Sequence, residues 1–255
     1  RNSGLEIQIR STNLKRASFY WTSDFNITIP QNKLLEFPQL EIFPAYKNSY
    51  AVGKSIFTRK TFIYEGVDPQ TGMYTFKDLD GDGSISSTTD REFTKQVTQQ
   101  WFGGLNNSVK FKGLQLDVLV QVVKQTGLDY TSGFGNPGSL SNQLQQVTNR
   151  WTESGDDSEI QKYSISAEAA NAYTNYNFSD AAIVDASFLR IKNISLSYEL
   201  PATWMRKAGL SMCRVSVIGQ NLFTVTNYRG MDPENRNINY LPPLRMISFG
   251  IDVTL

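Results

Sequence analysis

The sequence predicts an all-β chain, a transmembrane antiparallel β-barrel segment of about seven strands with long extracellular loops. Three observations carry that expectation. Apolar and polar residues alternate with a period of two, as in Leu5-Glu6-Ile7-Gln8-Ile9-Arg10 and Asp24-Phe25-Asn26-Ile27-Thr28-Ile29. Short and long connections alternate strictly along the chain, which a barrel does by keeping tight turns on the periplasmic side and long loops outside. A soluble sandwich has no reason to sort its loops by length onto opposite ends. The composition is polar without being charged: 24 Ser, 20 Thr, 19 Asn and 15 Gln stand beside 19% charged and 12% aromatic residues. That mix favours strands, turns and wet surfaces over helices.

The elements follow in order. The first strand, about 4–13, puts Leu5, Ile7 and Ile9 on one face and Glu6, Gln8 and Arg10 on the other. Residues 14–16 form a tight turn into a strand at about 17–30, which opens with Phe19, Tyr20 and Trp21. These three suit an aromatic girdle at a membrane interface, or equally the core of a sandwich. A long polar connection, 31–100, leads to paired strands at about 101–111 and 113–124, joined tightly at residue 112. Val118 to Val123 is nearly all apolar, so its facing stays open. After the long stretch 125–186, a strand at 187–199 changes phase by one residue: Leu189 and Ile191 give way to Ile194, Leu196 and Tyr198. A β-bulge produces such a shift. Residues 200–210 are a short connection, where Trp204, Arg206 and Lys207 either anchor at the interface or, equally, make a plain turn. A strand at 211–226, a long loop at 227–242 and a strand at 243–255 complete the set. Pro242-Pro243 ends that loop, and Ile247, Phe249, Ile251 and Val253 then alternate with Ser248, Gly250, Asp252 and Thr254.

Several functions are excluded early. Lys plus Arg is 25 and Asp plus Glu is 24, a net charge of +1, which argues against a nucleic-acid clamp. There is no His, so Ser-His and Cys-His catalysis and His-ligated zinc are absent. The single Cys213 cannot form an internal disulfide and reads as a small wall residue. No apolar run approaches the ~18 residues of a transmembrane helix. The opening Arg-Asn-Ser-Gly reads as a mature piece or an internal fragment, and an odd set of strands with bare edges requires further strands to pair with in lipid.

One loop carries metal-binding chemistry. Asp78-Leu79-Asp80-Gly81-Asp82-Gly83-Ser84 matches the front of an EF-hand calcium loop, with oxygens at positions 1, 3 and 5 and a backbone carbonyl at 7. The candidate ligands are Asp78, Asp80, Asp82 and the Ser84 carbonyl, and Gly83 at position 6 permits the sharp turn. Position 12 is Thr89, not the bidentate Glu, and the nearest acid, Asp90 at position 13, completes the candidate metal set. A bound calcium would be structural, relieving repulsion among three carboxylates. The other reading is a solvated Asp/Gly turn. In the 125–186 loop, Trp151, Tyr173, Tyr176 and Phe178 either offer faces to a substrate or lid, or form the loop's own small core. Asp156-Asp157-Ser158-Glu159 reads as a solvated face.

The run Asp185-Ala186-Ser187-Phe188-Leu189-Arg190 through Tyr198 resembles the penultimate hairpin of SusC/RagA-type TonB-dependent transporters of Bacteroidetes outer membranes. Gly219-Gln220-Asn221-Leu222-Phe223, Tyr228-Arg229-Gly230-Met231-Asp232-Pro233-Glu234 and Pro242-Pro243-Leu244-Arg245 continue the pattern, as do Tyr64-Glu65-Gly66-Val67-Asp68-Pro69 and Trp101-Phe102-Gly103-Gly104 upstream. The resemblance extends over residues 1–255 and implies the C-terminal part of a 22-stranded barrel whose plug and N-terminal strands have no counterpart here. It implies import of oligosaccharides or peptides, a SusD-like surface lipoprotein as lid, TonB acting through the plug, and outer-membrane lipid around the wall. No enzyme activity is expected. The competing readings are a soluble, calcium-stabilised β-sandwich that binds carbohydrate and a hydrolase with paired carboxylates on a β scaffold.

Overall fold

The computed structural model describes residues 1–207, 209–237 and 239–255; Ala208 in the short connection and Ile238 in the last long loop lie outside the described residues, and the Ser132 side chain is not described. In chain order the strands are β1 (Asn2–Arg16), β2 (Phe19–Asn32), β3 (Thr58–Thr61), β4 (Tyr64–Val67), β5 (Tyr74–Phe76), β6 (Glu92–Gln96), β7 (Gln99–Phe111), β8 (Leu114–Leu128), β9 (Ile183–Asp185), β10 (Phe188–Glu199), β11 (Met212–Thr226) and β12 (Met246–Thr254). The helices are α1 (Pro44–Lys47), α2 (Ala167–Asn177) and α3 (Ala202–Lys207).

The seven long strands make one sheet in the order β1-β2-β7-β8-β10-β11-β12, and β9 extends it by pairing with the end of β8. Every neighbouring pair is antiparallel. All seven expected strands are present. The tight turn expected at 14–16 falls at Ala17-Ser18 instead, because a bulge between Thr12 and Leu14 carries the pairing on to Arg16↔Phe19. The last strand starts at Met246 rather than 243, since Pro243 has no N–H for the ladder.

Register settles which residues share a face. One unbroken row runs Trp21↔Val109↔Leu116↔Leu196↔Val217↔Phe249, and another runs Phe25↔Leu105↔Val120↔Ile191↔Phe223. The opposite face carries Arg10↔Asp24↔Asn106 and Ser108↔Asp117↔Ser195. The apolar run in β8 is thereby resolved: Val118, Val120 and Val122 join the apolar face, whereas Leu119 and Gln121 lie on the other. The phase change in β10 is a register shift between Ile191 and Asn193, which keeps Leu189, Ile191, Ile194, Leu196 and Tyr198 on the apolar side.

Nothing in the described chain covers this apolar face. Phe249 and Ile251 on β12 keep 81% and 72% of their surface exposed, and Leu5 on β1 keeps 55%. A sandwich would lay a second sheet there; the other two sheets, β3-β6 and β4-β5, are two-stranded pieces inside the 31–100 connection. The sandwich expectation is therefore not met. β1 and β12 each pair on one side only among the described residues.

Phe19 and Trp21 share the apolar face with Phe111, the Phe19 and Phe111 rings lying 6.3 Å apart. Tyr20 departs from the expected trio, because alternation turns it to the polar face opposite Lys110. Ser23 and Asn107 are polar residues on the apolar side, and they satisfy each other: Ser23 Oγ donates to Asn107 Oδ1 at 2.6 Å, which also accepts from Trp21 Nε1 at 3.1 Å.

The main buried cluster lies in the long connections rather than beneath the sheet. Phe62, Tyr74, Phe76 and Tyr173 form it, flanked by Tyr64, Val67, Ala172 and Tyr176. It joins the two long loops, and backbone bonds from Phe62 N to Phe178 O (3.1 Å) and from Asp180 N to Phe62 O (2.9 Å) seal the joint. Ser166 caps α2 by accepting from Ala169 N at 3.2 Å, and the helix turns Ala169 and Tyr173 inward at helical spacing.

Candidate functional site

The polar face and the loop ends above it hold the chemistry. Near the long-loop end of β10, Arg190 is buried on the polar side. Its Nε donates to Thr224 Oγ1 at 2.9 Å, Nη1 donates to Glu234 at 2.6 Å, and Nη2 pairs with Asp232. Lys192 at the bulge adds a second cation to Glu234 at 2.9 Å. Asp232 also accepts from the backbone N–H of Glu234 (2.9 Å) and Asn235 (3.2 Å), so its carboxylate shapes the turn that carries it.

Around this centre the 228–236 segment is tied down over the strand ends. Gln125 Nε2 donates to Ala186 O (3.1 Å) and Pro233 O (2.6 Å). Arg236 Nη1 reaches Thr126 O at 2.9 Å, and Tyr228 Oη reaches Leu128 O at 2.9 Å. The Asp-Ala-Ser-Phe-Leu-Arg and Tyr-Arg-Gly-Met-Asp-Pro-Glu blocks thus form one latch, a meeting that their separation in the sequence hides. The block between them has its own reason: Asn221 sits at φ +51°, a left-handed conformation that Asn tolerates better than most residues, where β11 is out of step with β10.

In the Asp/Gly loop, one carboxylate oxygen each of Asp78, Asp80 and Asp82 lies within 4.8 Å of the others. The loop is wound around its own acids. Asp78 accepts from Gly81 N (2.7 Å) and Gly83 N (2.8 Å), Asp80 from Asp82 N (3.2 Å), and Asp82 from Ser84 N (2.7 Å). Gly83 adopts φ +84°, which the turn requires. Asp90 is fully buried outside that trio, accepting from Leu79 N and Ser86 N, each at 2.7 Å. These N–H donors hold the Asp78 and Asp90 carboxyls below the ordinary value of 3.8, Gly83 and Gly81 acting on Asp78, and Ser86 and Leu79 on Asp90. The ionised forms favour the folded loop. That contribution is complete above the ordinary carboxylate value and is lost as pH falls through the two lowered ones.

The four singled-out aromatics separate. Tyr173 is buried, and its hydroxyl donates to Thr131 O (2.7 Å) and Phe134 O (3.0 Å). Tyr176 stacks on Tyr74 at 4.6 Å, and burial pushes its phenol up to about 12. Both serve the loop core. Trp151 donates from Nε1 to Pro69 O at 3.0 Å and lies flat on Gly72, where an added Cβ would come within 2.4 Å of its ring. Phe178 keeps 55% of its surface open.

Comparison with known proteins gives a consistent result. No family model matches the chain. It is 26% identical to TonB-dependent receptor P3 of Formosa agariphila, over 91% of the chain and 25% of that protein. It is 25% identical to TonB-dependent receptor SusC of Bacteroides thetaiotaomicron, over 100% of the chain and 26% of that protein. The chain spans about a quarter of the length of the curated relatives it matches. Among solved structures, the RagAB peptide transporter superposes with a TM-score of 0.76 at 23% identity, over 100% of this chain and 29% of that one. The RagAB peptide importer in its open-open state gives 0.78 at 22%, over 100% and 28%. These relatives are named as receptors and transporters rather than as enzymes. In sequence this chain is similar to TonB-dependent receptors, SusC among them, and in fold to the RagAB peptide transporter, and that likeness places it in the outer membrane, crossed by β-strands.

Proposed function

We propose that this chain forms part of the wall and outer loops of a TonB-dependent importer of oligosaccharides or peptides. The barrel is of the 22-stranded class, and further strands pair with β1 and β12. A SusD-like lipoprotein caps the loops, and TonB acts through a plug. The observation that supports this most is the seven-strand apolar face, left open on one side of a sheet whose other side is polar. Lipid is the solvent that such a face needs, and a wet lumen suits the polar one. The latch at Arg190 then folds the last long loop over the lumen side of the wall. Fractionation tests the reading: the protein should pellet with outer membranes and resist carbonate extraction. Recovery as a soluble monomer would overturn it.

The Asp/Gly loop belongs to the same proposal as a calcium site held by Asp78, Asp80, Asp82 and the Ser84 carbonyl, with Asp90 closing the loop behind them. The clustered carboxylates and the tight winding about Gly83 fit a hard cation that takes oxygen ligands. The ion would rigidify the loop and perform no chemistry. Chelator should speed proteolysis within 78–90 selectively, and added calcium should reverse it. Identical digestion with and without chelator would remove the claim. Of the four aromatics we assign contact with a lid or a substrate to Phe178, whose ring is the most open to solvent.

A further inference from the structure

A cleft of about 480 Å³ opens where the two long loops meet the end of the sheet, between the β3 and β6 segments and the stretch after α2. Arg59, Lys60 and Arg91 line it, and no acid does. Among the described residues none of the three forms an ion pair. Lys60 Nζ bonds only the Asn48 side chain, at 3.2 Å.

Arg91 is the centre of the argument. Its guanidinium carbon lies 4.4 Å from the Phe62 ring centre and 5.1 Å from that of Phe178. Two aromatic faces thereby fix the plane of the fork. Its Nε is buried and has no hydrogen-bond partner, and the same holds for Thr58 Oγ1 and Asn177 Oδ1, which line the same cleft. A buried donor without a partner costs free energy that a well-placed acceptor recovers. The adjacent acids do not supply one: Asp90 accepts from Leu79 N and Ser86 N, each at 2.7 Å, and Glu92 lies opposite Thr61 in the β3-β6 ladder, neither lining the cleft; Asp180, on the far loop, accepts from Tyr64 N at 3.0 Å. A pre-oriented guanidinium, two further cations and an absence of competing carboxylates describe a receptor for a planar oxyanion.

We propose that this cleft binds a carboxylate of the imported oligomer, with Arg91 as the fork and Arg59 and Lys60 as the surrounding positive field. The exposed Phe178 ring forms one apolar wall beside the charge. The inference rests on the import reading only for where the ligand comes from; binding itself needs no transport.

The test uses the intact outer-membrane protein carrying this chain, in detergent. Four probes are titrated by calorimetry: an oligogalacturonide, its neutral galactose counterpart, tetraglutamate and tetraglutamine. A charged probe should bind more tightly than its neutral twin, and Arg91→Gln should weaken it about ten- to a hundredfold while sparing the neutral one. Arg59→Glu, at an exposed position, should weaken it in the same direction. Whether the sugar acid or the acidic peptide responds names the source of the carboxylate. Absence of charge preference, or charged binding untouched by both variants, overturns the proposal. So does a result in which Arg91→Gln releases only a co-purifying lipoprotein, since the cleft would then serve the lid. Outer-membrane fractionation of the same variants reads the import proposal separately.

Discussion

Replacing Arg190 with Ala is expected to destabilise the folded protein by about 3–5 kcal/mol, because it strands Asp232 as a buried carboxylate without its cation. The midpoint of urea unfolding in detergent should fall accordingly, and the 227–242 loop should become the first site of proteolysis. Lys192→Ala is the contrast. Lys192 is partly exposed and Glu234 keeps Arg190, so its loss should cost no more than about 1 kcal/mol. The paired change Arg190→Met with Asp232→Leu should recover much of the loss, since removing both buried charges is often nearly neutral. An unchanged midpoint for Arg190→Ala would mean that the latch does not hold the loop. The expected size follows from position. Arg190 and Asp232 are both buried and 42 residues apart, so their pairing closes the connection between β11 and β12 over the wall rather than decorating a surface.

That separation also explains what the sequence left illegible. Strands read well, since a two-residue period needs only six to eight residues to declare itself. Even the bulge at Lys192 was visible, as a skipped beat between Ile191 and Ile194. Facing was readable wherever polar residues interrupted the apolar ones. In Val118 to Val123 they did not, and only the register against Asn107 and Leu105 assigned it. Tyr20 was grouped with Phe19 and Trp21 by chemistry, although alternation alone turns it away.

The long connections hid the rest. β3, β4, β5 and β6 are three to five residues each, too short for periodicity. α2 follows a Ser cap but carries little apolar patterning beyond Ala169 and Tyr173. The Asp-rich loop was legible because its acids are adjacent. The latch and the Arg91 cleft were not, because their members come from segments that only the fold brings together. Arg91 and Phe178 are the extreme case: an unremarkable Arg after a turn and an exposed Phe become neighbours because Phe62 pairs with the chain after α2.

The apolar face carries the second large expectation. Ile194→Arg should cost about 2–4 kcal/mol, the amount expected for a cation at the middle of a lipid-facing band, whereas Ser195→Arg next to it should be tolerated. Ile194 lies four residues from Tyr198, the aromatic of β10 on the girdle side. At about 3.3 Å per residue and a tilt of about 40°, this places it roughly 10 Å into the band. Its neighbours across the ladder are Val118 and Gly219, with Ile247 beyond, and none of them receives a guanidinium; Asn107, one strand past Val118, is already engaged by Ser23 and Trp21. Ser195 is one residue on and faces Asp117 across the ladder, so a new Arg there meets a carboxylate and water. The measurement is the unfolding midpoint in lipid vesicles, or the fraction that reaches the heat-resistant folded form during assembly. Comparison of adjacent positions removes strand propensity and chain length from the difference, leaving only the side of the sheet. Equal costs at 194 and 195 would mean that both faces meet the same solvent. The reading of the sheet as a membrane wall would then fail, whatever the sequence relatives are.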